Sequence, residues 1–192
     1  MKTLPLSLTL SAALLFTACG EVEVSSRLPA GNANAPITVM EFADLQCPAC
    51  RAAHAQTTLP LIEQYGDKIR FEFRHFPLST IHPYALSAAV ASECAADQGK
   101  FWEFIDHNYE YQEDLSIEAL NTWGEELGLD MDAYKSCRRS NGKKKLVLAE
   151  YKEGRDLGVQ GTPTYFVNGV QTSRADLTST IEAEIGSVLQ NL

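Results

Sequence analysis

The chain has 192 residues, 45% of them hydrophobic and 21% charged, which is enough apolar material for one ordinary globular domain with a real core. Its 16 Lys and Arg stand against 25 Asp and Glu, for a formal charge of -9. That balance argues against nucleic acid or another polyanion as a partner.

Residues 1–18, "MKTLPLSLTLSAALLFTA", place one Lys before an apolar stretch that ends in small residues, the layout of a secretory signal peptide. The stretch is too short and too early to be read as a spanning helix. "LFTAC" then resembles a bacterial lipobox, which implies cleavage before Cys19 and a lipid on that thiol, holding the mature protein to a bilayer. Gly20 follows, and it is not the Asp that usually retains bacterial lipoproteins at the inner membrane. Residues 19–36 mix Gly, Ser, Asn, Ala and Pro without periodicity and read as a tether. With Cys19 lipidated, Cys47, Cys50, Cys94 and Cys137 remain, an even number in an oxidising compartment, and two disulfides are expected.

The folded domain is expected over 37–192. "ITVMEFA" has the β-branched and apolar density of a buried strand, and "IRFEFRHF" alternates like a strand with one wet face. Between them "CPACRAAHAQTTLPLIEQYG" predicts a helix, with Pro48 tolerated in the first turn and a kink at Pro60. Over 79–158 the pattern is helical alone. One of these helices carries Ile117, Leu120, Trp123 and Leu127 as an apolar stripe, and the run Lys143, Lys144, Lys145 reads as a solvated helix face. Strand character returns in "TPTYFVNGVQT", where Asn168-Gly169 signals a hairpin, and an amphipathic helix over 175–189 carries Leu177, Ile181, Ile185 and Leu189. The order is β, α, β, a helical block, β-hairpin, α, with a C-x-x-C opening the first helix. That is an α/β, thioredoxin-like order, with a helical insertion between the βαβ half and the ββα half.

A C-x-x-C at a helix start sets two sulfurs one turn apart on nearly one face. Cys47, at the helix N-terminus, is favoured as thiolate and is the sulfur that attacks and is attacked; Cys50, deeper, is the resolving thiol. Pro48 and Ala49 between them are the positions that tune this pair. A purely structural bridge would close too short a loop to constrain much chain. Zinc needs a second ligand pair, which neither Cys94 nor Cys137 supplies at zinc-knuckle spacing, and haem attachment needs His where Arg51 stands. No metal or cofactor is expected. His54, His75, His82 and His107 read as structural or exposed, and Trp102 and Trp123 as core or cover aromatics.

"CPAC", the preceding "EFADLQ", the later "QGKFW" and the "GTPTYFVNG" segment together resemble the DsbA-like thioredoxin-fold family of bacterial exported thiol:disulfide oxidoreductases. The resemblance implies action on thiols of exported proteins, no bound cofactor, and recycling by a membrane redox partner of the DsbB or VKOR type. It places Thr162-Pro163 as a cis peptide beside the dithiol, where the backbone edge can pair with an extended substrate. It also makes Glu41, six residues before Cys47, a buried acid that relays the proton of Cys50; alternation alone would let Glu41 face water equally well. Similar family members carry a second bridge, here Cys94 with Cys137. That bridge would close a loop of over forty residues and stabilise by roughly 4 kcal/mol, unless it is a second redox pair. Ala49 stands where strongly oxidising relatives often have His, so a milder oxidant is expected. The reading that follows is a monomeric, lipid-anchored oxidase of exported proteins, with a client-specific reductase or a non-catalytic peptide binder as alternatives.

Overall fold

The computed structural model describes residues 23–190; the expected signal peptide over 1–18 and the expected lipid site at Cys19 lie outside the described residues. Five strands form one sheet in the order β1-β3-β2-β4-β5, namely β1 Ala30–Gly31, β2 Ile37–Ala43, β3 Ile69–His75, β4 Thr164–Val167 and β5 Val170–Thr172. β2 and β3 run parallel from the Ile37/Ile69 pair to the Ala43/His75 pair, and a parallel pair requires a crossover, here the helix opened by the cysteines. β4 lies antiparallel on the other side of β2, and the Asn168-Gly169 turn, with φ of 48° and 81°, folds β5 back on it.

The crossover helix is not uniformly α. Helix α1, Pro48–Ala53, widens into a π turn over His54–Thr58 before α2, Leu59–Tyr65. In that turn the Leu59 N–H donates to His54 O, and Pro60, which has no N–H to give, follows at once. The kink expected at Pro60 is therefore taken up as a wide turn, which leaves Thr58 buried against the sheet and His54 buried against the Tyr109 ring.

The insertion holds α3 Ala85–Ala96, α4 Phe101–Glu110, α5 Ile117–Glu126, α6 Met131–Arg139 and α7 Gly142–Asp156, and α8 Leu177–Gln190 closes the chain against the sheet. One apolar core fills the insertion and reaches the dithiol: Phe104, Leu120, Tyr134 and Val147 are all fully buried in it together with Cys50. A second lies between the sheet and α2 and α8, built on Val39, Ile69, Phe71, Leu177 and Ile181. On α5, Leu120 and Trp123 are buried, while Ile117 is 57% exposed, because it opens the helix at the rim. Leu189 is likewise exposed at the end of α8.

Two readings made from composition give way to long-range charge pairing. The described part of the 19–36 segment, Glu23 to Pro36, is held on the domain. Arg27 reaches both Glu93 of α3 and Glu150 of α7, Ser25 donates to Glu93 at 2.6 Å, and the Trp102 indole donates to Leu28 O at 3.0 Å. Ala30 and Gly31 then pair with Phe71 and Arg70 as β1. Lys143, read as solvated, is 2% exposed, because Glu23 and Asp97 each meet its ammonium at 2.7 Å. A run of lysines cannot show which of them will find two carboxylates, one of them 46 residues upstream.

Candidate active site

Cys47 is the N-cap residue of α1, with extended backbone (φ -78°, ψ 121°), and Pro48 occupies the first turn, where its missing N–H would have had no partner. The two thiols are free, and their surroundings drive them apart. The Cys47 thiol falls from 9.0 to about 5: the Cys50 thiol donates to it, which is the strongest influence. Burial opposes this, while Thr162 and the N–H groups of Cys50 and Ala49 add to the lowering. Burial pushes the Cys50 thiol well above its ordinary range, and the nearby Cys47 and Glu41 push it the same way. Pro48 and Ala49 are exposed, so Ala49 acts on the sulfur through its backbone N–H and leaves its side chain in solvent.

The Thr162-Pro163 peptide is cis and lies beside the dithiol. The Cys47 thiol donates to Thr162 O at 3.5 Å, and Thr162 Oγ1 is buried with no hydrogen-bond partner, free to donate once the sulfur is ionised. Glu41 is 2% exposed on the inward face of β2. Burial raises its carboxyl from 4.5 to about 7, against the pull of Thr58, of His54 and of Tyr165. Thr58 donates to one carboxylate oxygen at 3.0 Å and Tyr165 to the other at 3.1 Å. A carboxyl poised near neutrality behind a buried thiol can take up or return that thiol's proton.

The loop before Cys47 is held by buried polar side chains. Asp44 is 1% exposed; its carboxylate accepts from Gln46 N and Leu78 N, each at 2.7 Å, and from His82 Nδ1 at 2.8 Å. Its own N–H points at the Cys50 sulfur at 3.5 Å. From the insertion, Gln112 donates to Leu45 O and Cys47 O at 3.0 and 3.1 Å, and Asn108 donates to Leu45 O at 2.8 Å. Asp44 sits three residues before Cys47 in "DLQC", a signal that could have been noticed; Asn108 and Gln112 had none.

Each histidine has a carboxylate partner: His54 with Asp106 at 2.8 Å, His75 with Glu93 at 3.1 Å, His82 with Asp44, and His107 with Glu126 at 3.0 Å. Cys94 and Cys137 are joined, with Cα atoms 5.8 Å apart, tying α3 to α6. Among the described residues no group of three or more His, Cys, Asp or Glu could hold a metal ion, and no helix is long and apolar enough to cross a membrane.

A family model described as Thioredoxin matches residues 24–185. The chain superposes on alpha-DsbA1 of Wolbachia pipientis at 22% identity and a TM-score of 0.76, covering 88% of this chain and 96% of that one. It superposes on oxidised BdbD of Bacillus subtilis at 23% identity and a TM-score of 0.75, covering 84% and 94%. At these identities the likeness is one of fold: a thioredoxin-like sheet with a helical insertion, as in the DsbA-like proteins. Among curated proteins it is 40% identical over 143 residues to an Na(+)/H(+) antiporter NhaA 3 of Salinispora tropica, over 72% of this chain. It spans about a fifth of the length of the curated relatives it matches.

Proposed function

Since the chain belongs to the thioredoxin family, we propose that it is a thiol:disulfide oxidoreductase of the DsbA-like kind, exchanging the Cys47-Cys50 disulfide with cysteines of exported proteins, as their oxidase. The observation that carries this reading is the opposed pair of sulfurs, Cys47 held down to about 5 and Cys50 held far up. A substrate thiolate attacks the Cys47 sulfur of the disulfide; the substrate–Cys47 bond forms, the Cys47-Cys50 bond breaks, and Cys50 leaves with the electron pair. Protonated Glu41 is the acid placed to neutralise it. A second substrate thiolate then attacks the substrate sulfur of the mixed disulfide and expels Cys47, a good leaving group because its thiolate is stable. The substrate leaves oxidised and the dithiol holds two electrons. A membrane redox partner of the DsbB or VKOR type would remove them.

Thr162, through its backbone and its unpaired hydroxyl, would align an extended substrate segment beside Cys47. The work would be done outside the cytoplasm, with Cys19 as the lipid attachment point and Cys94-Cys137 as a structural bridge. The antiporter activity that the curated relatives' names describe is not carried over. Insulin reduction and a reduction potential measured against glutathione test catalysis and direction. Cys50→Ser, whose lone Cys47 thiolate can attack a substrate disulfide and expel one of its sulfurs but cannot be resolved by Cys50, is expected to accumulate mixed disulfides with disulfide-bonded substrates such as insulin; trapping that needs Cys50 and survives Cys47→Ser would reverse the assigned roles.

A further inference from the structure

Between α3, α5, α6 and α7 lies an open groove of about 590 Å³ whose floor is apolar, from Leu86 and Val90 of α3, with exposed Ile117 of α5 at its edge. Its rim carries Lys135, Arg138, Arg139 and Lys144, and no Asp or Glu lines it. In a chain of 25 acids and 16 bases, four of the bases on one groove without an acid is a marked local reversal of sign. Arg138 is engaged, donating to Asn121 at 2.6 Å and lying over the Tyr134 ring, and Lys135 has Glu125 at 4.0 Å. Arg139 and Lys144 make no ion pair or side-chain hydrogen bond among the described residues and point to a ligand from outside the chain.

We propose that this groove binds an acidic, apolar segment of the polypeptide whose cysteines the dithiol exchanges. The proposal rests on the exchange reading and names its substrate class. Charge complementarity selects acidic residues at the rim, and the recessed apolar floor takes side chains between them. Continuity with the active site favours a client over a lipid surface. Pro83 and Ser87 line the near end of the groove, and Tyr84 between them donates its N–H at 2.8 Å to Gln46, the residue before Cys47. The Cys94-Cys137 bridge joins the helix of the floor to the helix of the rim one turn beyond Val90, and so fixes the width of the groove.

Fluorescence anisotropy of a labelled, cysteine-free peptide of alternating acidic and large apolar residues, added to the full chain, tests this without relying on redox chemistry. At low ionic strength it is expected to bind about tenfold tighter than its Gln-for-Glu counterpart, the upper range for two exposed ion pairs, with the gap closing in high salt. Arg139→Glu with Lys144→Glu should abolish the gap and leave reduction of a small uncharged disulfide unchanged. Equal affinity for the two peptides, or a gap that survives the double variant, overturns the proposal. So does binding of phosphatidylglycerol vesicles that the double variant loses while the peptide gap stays, which would make the groove a lipid contact. If peptide binding holds while insulin reduction fails, the groove stands and the exchange reading falls; the reverse result separates them the other way.

Discussion

At the scale of single residues the site is a problem of moving one proton between a buried thiol and a buried acid. Glu41 ionises at about 7 in the fold and at 4.5 in its ordinary state, so as pH rises the unfolded chain releases this proton first. Stability is therefore lost between those two values, by an order of 3 kcal/mol. Glu41→Gln, which cannot ionise, is expected to melt higher than the parent at pH 8 and no higher at pH 4, by calorimetry. It should also slow the attack of substrate thiolates on the Cys47-Cys50 disulfide, the step in which Cys50 needs a proton as it leaves, and lose the rate dependence around neutrality; an unchanged pH-rate profile would remove Glu41 from the relay. Ala49→His would add a donor and a positive charge beside the thiolate. It should lower the Cys47 pKa and raise the reduction potential together, by about 30 mV per pKa unit. Thiolate absorbance and glutathione equilibration read the two halves separately. The cysteines were legible because C-x-x-C at a helix start has few other uses. Asn108 and Gln112 were not, because their roles exist only once chain segments some sixty residues apart meet.

Among the elements, the segment from Glu23 to Gly31 departs furthest from its composition. Arg27 is a single cation between Glu93 and Glu150, with the His75 N–H also donating to Glu150 at 2.8 Å. Burial alone would raise the Glu93 carboxyl, but the hydrogen bond from His75 and then the charge of Arg27 bring it down to about 2. Because that pKa is depressed, its contribution is present above 4.5 and lost as pH falls toward 2. Arg27→Ala removes the guanidinium that Glu93 and Glu150 share and leaves them buried with only the His75 and Ser25 hydrogen bonds. It is expected to destabilise by about 3–5 kcal/mol and to move the acid-unfolding midpoint upward, both visible in denaturant and pH titrations followed by tryptophan fluorescence. Gly, Ser, Asn and Pro without periodicity say that a segment forms no helix or long strand; they cannot say that it stays off the domain. The helix after Cys50 teaches a related point. Pro60 marked an interruption, while its form, a π turn that turns Thr58 toward Glu41, depends on the sheet beneath it.

On the scale of the whole molecule, the order of elements was readable because each carries a clean period, two in β3 and near four in α8, and because a C-x-x-C between two strands fixes where the first half lies. How the insertion packs was not, since its helices share apolar surfaces that sequence cannot assign to one another. The bridge between α3 and α6 is one constraint on that packing. Cys94→Ser with Cys137→Ser should lower stability by up to about 4 kcal/mol while exchange with small thiols continues; loss of turnover in a folded double variant would make the bridge a redox relay. The sheet has two outer strands, β5 of three residues and, on the other side, β1 of two. β1 is the strand that covers the outer edge of seven-residue β3, whose Phe71 and Phe73 alternate with Arg70, Glu72 and Arg74. A protease cut just before Asn32 would strip that cover and leave β3 as an open template for strands of other molecules. The clipped protein should therefore grow into larger species in light scattering, which makes the segment from Glu23 to Gly31 a guard on solubility as well as on the fold.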